Sequence, residues 1–152
     1  MTETWIDQET RSAVVSRPPV RYAGSAERFI SINATHADVM ASLEATLAVL
    51  RVTCLPRVKF VLTVSPVPLY ASFHSTDVVT GNSYSKATLR SAAQEIVDRH
   101  DDVDYFPAYE MVTATRADDV WSDDTLHVRR EVAAVIAERF VGAYFARAQE
   151  AP

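Results

Sequence analysis

Trp121-Ser122-Asp123-Asp124-Thr125-Leu126-His127 sets a carboxylate three residues ahead of an imidazole, just before the last helical pattern of the chain. On a turn that opens a helix, the two groups can meet over one short loop. Asp124 is then expected to orient His127 as a general base. A base of this kind needs a hydroxyl or thiol to deprotonate. No Gly-flanked serine or cysteine at a strand-to-helix turn precedes it in the sequence. The competing reading of Asp123 and Asp124 is electrostatic, two carboxylates at the positive end of the final helix dipole.

Composition narrows the chemistry. A chain of 152 residues, 48% hydrophobic and 23% charged, is expected to form one soluble domain with a single core over residues 1–152. Its net charge of −5 offers no basic stripe, so nucleic acid is not an expected partner. No apolar run reaches the roughly 18 residues of a membrane span, and Met1-Thr2-Glu3-Thr4-Trp5 has no secretion-signal pattern, so a cytoplasmic location and no membrane partner are expected. The single cysteine, Cys54, excludes an internal disulfide and is expected to be a buried, inert thiol. Neither phosphate-cradling glycine motif is present, and His36, His74, His100 and His127 show no metal-ligand spacing; no cofactor and no metal are expected.

The elements that must carry the pair follow in order. Thr4-Trp5-Ile6, Ala13-Val14-Val15, Val20-Arg21-Tyr22 and Phe29-Ile30-Ser31-Ile32 read as strand-like runs, with a break at Arg17-Pro18-Pro19. Thr35-His36-Ala37-Asp38 resembles a capping box. Val39, Leu43, Leu47 and Leu50 then predict one buried helix face over about 36–53, ended by Pro56. Val58 to Val64 predicts a strand covered on both faces, stopped by Pro66 and Pro68. Gly24 and Gly81 read as loop residues. Ser83 or Ser85 is expected to cap a helix carrying Leu89, Ala92, Ala93, Ile96 and Val97 inward. A short strand at Val103-Asp104-Tyr105-Phe106, a short helix or excursion over 108–114, a loop over 118–124 and a final helix over about 128–148 complete the chain. The alternation of helix and strand predicts a parallel sheet with helical crossovers, whose ligand crevice lies beyond the carboxyl ends of the strands. The Ser65-to-Pro68 loop and the loop holding His74 are expected beside it.

Four stretches together carry a resemblance: Thr63-Val64-Ser65-Pro66-Val67-Pro68, Ser85-Lys86-Ala87-Thr88-Leu89, Asp104-Tyr105-Phe106-Pro107-Ala108-Tyr109-Glu110 and Asp123-Asp124-Thr125-Leu126-His127. In order and spacing they resemble the GSCFA domain family, which is related to the SGNH hydrolases. Thr2-Glu3-Thr4-Trp5-Ile6-Asp7 resembles that family's Thr-Glu-x-Trp-x-Asp strand. The resemblance implies a three-layer α/β/α fold with a mostly parallel sheet, SGNH- or flavodoxin-like and incomplete at its N-terminus. It implies His127 as base and Asp124 as its orienter, in a serine-dependent ester hydrolase or acyltransferase acting on a small-molecule or glycan ester. The Gly-Ser-Cys-Phe-Ala segment holding the family nucleophile does not occur here, so the serine is expected from a partner chain or a missing segment. Ser65, Ser85, Lys86, Tyr109 and Glu110 lie in family motifs as candidate site-lining residues. For Ser85 and Lys86 the alternatives are a helix cap and a solvated cation. Asn82 could donate to an oxyanion or simply make a turn. The second function class is a non-catalytic binding or assembly module, whose incomplete sheet is covered by self-association or a partner chain.

Overall fold

Thr35 starts the first long helix as its spacing predicts. Its hydroxyl accepts from the Asp38 N–H while the Asp38 carboxylate accepts from the Thr35 N–H, a reciprocal capping box. In the computed structural model, which describes residues 1–14, 26–54, 58–74 and 77–145, this helix is α1, His36–Thr53. Before it lie β1 (Glu3–Asp7), β2 (Ser12–Val14), one turn of 3-10 helix (Ala26–Arg28) and β3 (Phe29–Asn33). After it come β4 (Phe60–Leu62), α2 (Val78–Arg99), β5 (Val103–Tyr105), α3 (Ala108–Thr113), α4 (Ala117–Val120) and α5 (Arg130–Tyr144). The expectations for Val15, Arg17-Pro18-Pro19, Val20-Arg21-Tyr22, Gly24, Pro56 and the helix end beyond 145 fall outside the described residues.

The chain is α/β, but the expected mostly parallel sheet is not what the described strands make. β2-β1-β3 is an antiparallel three-stranded sheet, and β4–β5 is a separate parallel pair. Connection length explains the split. Only Gln8 to Arg11 join β1 to β2, a turn that can return the chain only antiparallel, with Arg11 at φ 55°. β4 and β5 are joined through α2, long enough to cross over. Asp7 fastens the first sheet to the 3-10 turn: Arg28 donates to its carboxylate from Nε at 2.9 Å and from a terminal nitrogen at 2.6 Å. Those bonds hold the Asp7 carboxyl down at about 2.

α1 and α2 pack over the β4–β5 pair. Met40, Leu47, Ala92, Ile96 and Val103 form the buried cluster, with Val39, Leu43, Phe60, Leu62 and Val97 against it. The predicted faces supply Val39, Leu43 and Leu47 from α1 and Ala92, Ile96 and Val97 from α2, while Met40, outside the predicted stripe, joins the cluster and Leu50 does not. The Val58–Val64 strand is shorter than expected, because its ladder to β5 covers only residues 60–62. α5 closes on the residue after β5, with Phe140 and Tyr144 5.1 and 6.3 Å from the Phe106 ring.

Four further expectations are corrected. α2 begins at Val78, capped by Asp77, whose carboxylate accepts from the Val79 and Thr80 N–H groups at 3.0 Å; neither Ser83 nor Ser85 caps it. Gly81 is thus inside α2, where a Cβ would lie 3.3 Å from Glu3 Oε1, so its role is close approach to β1. Cys54 is exposed, not buried: it is the C-cap of α1, in extended backbone beyond the last helical residue. Residues 118–120 of the expected 118–124 loop belong to the short helix α4.

Candidate functional site

The segment between α4 and α5 is a small hairpin. Arg129 donates its N–H to the Val120 carbonyl, Trp121 bridges Val128, Ser122 donates to the His127 carbonyl at 2.8 Å, and Thr125 donates to the Ser122 carbonyl at 2.9 Å. Turning the chain this tightly puts Thr125 at φ 57°, a strained setting for a β-branched residue. Asp124 holds the tip together. One carboxylate oxygen accepts from the N–H groups of Leu126 and His127 at 3.0 Å, and the other meets His127 Nδ1 at 2.5 Å. The imidazole bond, then the two amides, bring the Asp124 carboxyl to about 2.

A carboxylate can only accept, so Nδ1 must carry the proton and Nε2 the lone pair when the ring is neutral. The His127 side chain is 73% exposed, and its one side-chain bond is made through Nδ1. This is the tautomer and orientation a general base requires. The pair lies on a hairpin, not at a helix opening: α5 starts at Arg130, so the helix-dipole reading of Asp123 and Asp124 fails.

The other candidates are not gathered around this pair. Asn82 sits in α2, not in a turn, and its side-chain oxygen accepts from the Leu69 N–H at 3.0 Å. Ser85 is fully buried and accepts from the Thr2 N–H at 2.9 Å. Lys86 is buried, not solvated, and donates from Nζ to the carbonyls of Ser65 and Val67, both at 2.6 Å. Adjacent residues of α2 thus clamp the start of the chain and the proline-rich exit of β4. The Ser65 hydroxyl accepts locally from the Val67 N–H.

Glu110 accepts from Arg90 Nε at 2.6 Å and from the Tyr105 hydroxyl at 2.8 Å, while the Arg90 guanidinium lies 4.0 Å from the Tyr105 ring centroid. Tyr109 borders a groove with Lys86 and Arg90. The hollow beside the hairpin is lined by Ala117, Trp121, Ser122, Thr125 and Arg129, whereas the crevice at the β4 exit is lined by Leu62, Ser65, Lys86 and Leu89, and the two share no residue. His74 meets Ser31 at 3.3 Å and His100 meets Glu44 at 2.9 Å, each apart from His127. Among the described residues no three His, Cys, Asp or Glu side chains converge as metal ligands, and no helix is long and apolar enough to cross a membrane.

Glu3 is a residue the motif reading passed over. Its carboxylate accepts from the Ser72 hydroxyl at 2.7 Å and the Phe73 N–H at 3.0 Å, tying the loop after β4 to β1. Its place in the Thr-Glu-x-Trp-x-Asp stretch was the available signal.

Fold and loop together define an α/β domain that carries a carboxylate-oriented imidazole on a hairpin ahead of its last helix. The chain belongs to the GSCFA family, whose profile matches residues 1–140. Comparison with curated proteins and with solved structures returned no match.

Proposed function

We propose that this chain supplies the acid–base half of an SGNH-like site for ester hydrolysis or acyl transfer, within the three-layer α/β/α arrangement of such enzymes. The observation that carries the reading is the 2.5 Å contact between His127 Nδ1 and Asp124, with the rest of that carboxylate held by two amides. Among the described residues no hydroxyl or thiol contacts His127 Nε2, and the chain has no Gly-Ser-Cys-Phe-Ala stretch, so the reading takes the nucleophilic serine from a second polypeptide segment. Its Oγ attacks the acyl carbon of a small-molecule or glycan ester, and His127 Nε2 takes the hydroxyl proton. The same proton passes to the leaving alkoxide as the acyl–oxygen bond breaks. Water or an acceptor alcohol then removes the acyl group, with His127 again as base. Asp124 stays ionised throughout and stabilises the imidazolium.

The test compares aryl-ester turnover by this chain alone with turnover after adding a polypeptide bearing a Gly-Ser-Cys-Phe-Ala segment. Turnover is expected only in the mixture and is lost with His127→Ala. An inactive mixture, or one indifferent to that substitution, overturns the proposal.

A second reading, an assembly module, is favoured by β4. It pairs with β5 along one edge, and among the described residues no strand pairs with the other. An uncovered edge offers backbone donors and acceptors to a second copy or a partner chain. Sedimentation equilibrium is expected to show association; a strictly monomeric species counts against it.

A further inference from the structure

The proposed site leaves Lys86 without a part, yet it is the most unusual charge among the described residues. Only 3% of it is exposed, and its ammonium is met by two neutral carbonyls and by no carboxylate. An ammonium has three donors, so one remains beyond those two bonds. Burial alone pushes its pKa down, with no opposing carboxylate to raise it. Charges in such positions are normally paired, because neutral dipoles only partly replace lost hydration.

Lys86 also borders a cavity of about 380 Å³ at the carboxyl end of β4, a size within the range of small-molecule sites. Its walls are otherwise largely apolar: Val39 and Leu43 from α1, Leu62 and Val64 from the strand and its exit, Leu89 and Ala93 from α2. In open α/β sheets this end of a parallel strand is where ligands sit. A neutral ligand would leave the ammonium unpaired, and a small anion would leave the walls wet. An alkyl chain ending in a carboxylate answers both.

We propose that the crevice at the exit of β4 binds a short- to medium-chain carboxylate, its chain against the α1, α2 and β4 side chains and its head paired with Lys86. This assignment does not rest on Asp124 or His127, neither of which borders the cavity. Met1 borders it too, and its ammonium is pushed down first by burial and then by the Lys86 charge.

Isothermal titration of the whole chain near pH 7 with octanoate, octanamide and acetate tests the proposal. Octanoate is expected to bind about tenfold or more tighter than either competitor, the difference between a charged and a neutral hydrogen-bonded head. Lys86→Met should abolish the preference for octanoate over octanamide, and acetylating the Met1 amine should preserve it. Leu43→Trp, which fills the cavity from α1, should remove octanoate binding and serves as the second variant if Lys86→Met fails to fold. Equal binding of octanoate and octanamide by the native chain overturns the proposal without any variant. So does octanoate binding unchanged in Lys86→Met or Leu43→Trp, or a preference lost on acetylation.

Discussion

Replacing His127 with alanine should shift the titration of a different residue, Asp124. In the native hairpin the Asp124 carboxyl is held at about 2, with the imidazole bond as the largest cause and the Leu126 and His127 amides next. The sign follows from linkage. A carboxyl whose folded pKa is depressed favours the folded loop above its unfolded value of about 3.8, and that contribution fades as pH falls through about 2. At pH 3 a group with a pKa of about 2 is roughly nine-tenths ionised, whereas one with a pKa of 3.8 is roughly one-seventh ionised. The two cases are easily separated by following the carboxyl carbon of Asp124 by NMR from pH 6 to pH 1.5. In His127→Ala the backbone N–H groups of residues 126 and 127 remain, so the midpoint should rise but stop below the ordinary value. A native midpoint near 3.8, or one unmoved by His127→Ala, would show that carboxylate and ring do not meet in solution, and the base assignment would go with it.

Two further outcomes test the scaffold. Ile96 is fully buried between α1, α2 and β5, so Ile96→Ala should cost about 2–5 kcal/mol. Calorimetry should record that as a fall in Tm on the order of 10 °C; a change within about 0.5 kcal/mol would place Ile96 outside the core. Ser85→Ala removes the acceptor of the buried Thr2 N–H and should cost about 1–3 kcal/mol in urea unfolding. A native midpoint in that variant would mean that Ser85 does not anchor the start of the chain.

α1 was legible because two independent local signals agreed on it, the Thr35/Asp38 box and the Val39-Leu43-Leu47-Leu50 stripe. The start of α2 was not, because Gly81-Asn82-Ser83 has turn chemistry when read alone. Tertiary contacts override it: Gly81 is needed where α2 meets Glu3, Asn82 is spent on the Leu69 amide, and Asp77 caps the helix four residues earlier. The antiparallel sheet was hidden for a related reason. Gln8-Glu9-Thr10-Arg11 contains no Gly or Asn to announce a hairpin, and Arg11 takes the left-handed position itself.

The same distinction separates the two halves of the candidate chemistry. Asp124 and His127 are three residues apart, and their meeting depends on one turn, so spacing alone was enough to bring them together although the supporting element proved to be a hairpin. Lys86 depends on Ser65 and Val67, about twenty residues away, and no local pattern distinguishes it from a solvated lysine. Its burial follows from how α2 lies across the exit of β4. A cation enclosed by long-range packing, with two carbonyls for company and an apolar cavity beside it, is a property of the fold that only the fold reveals.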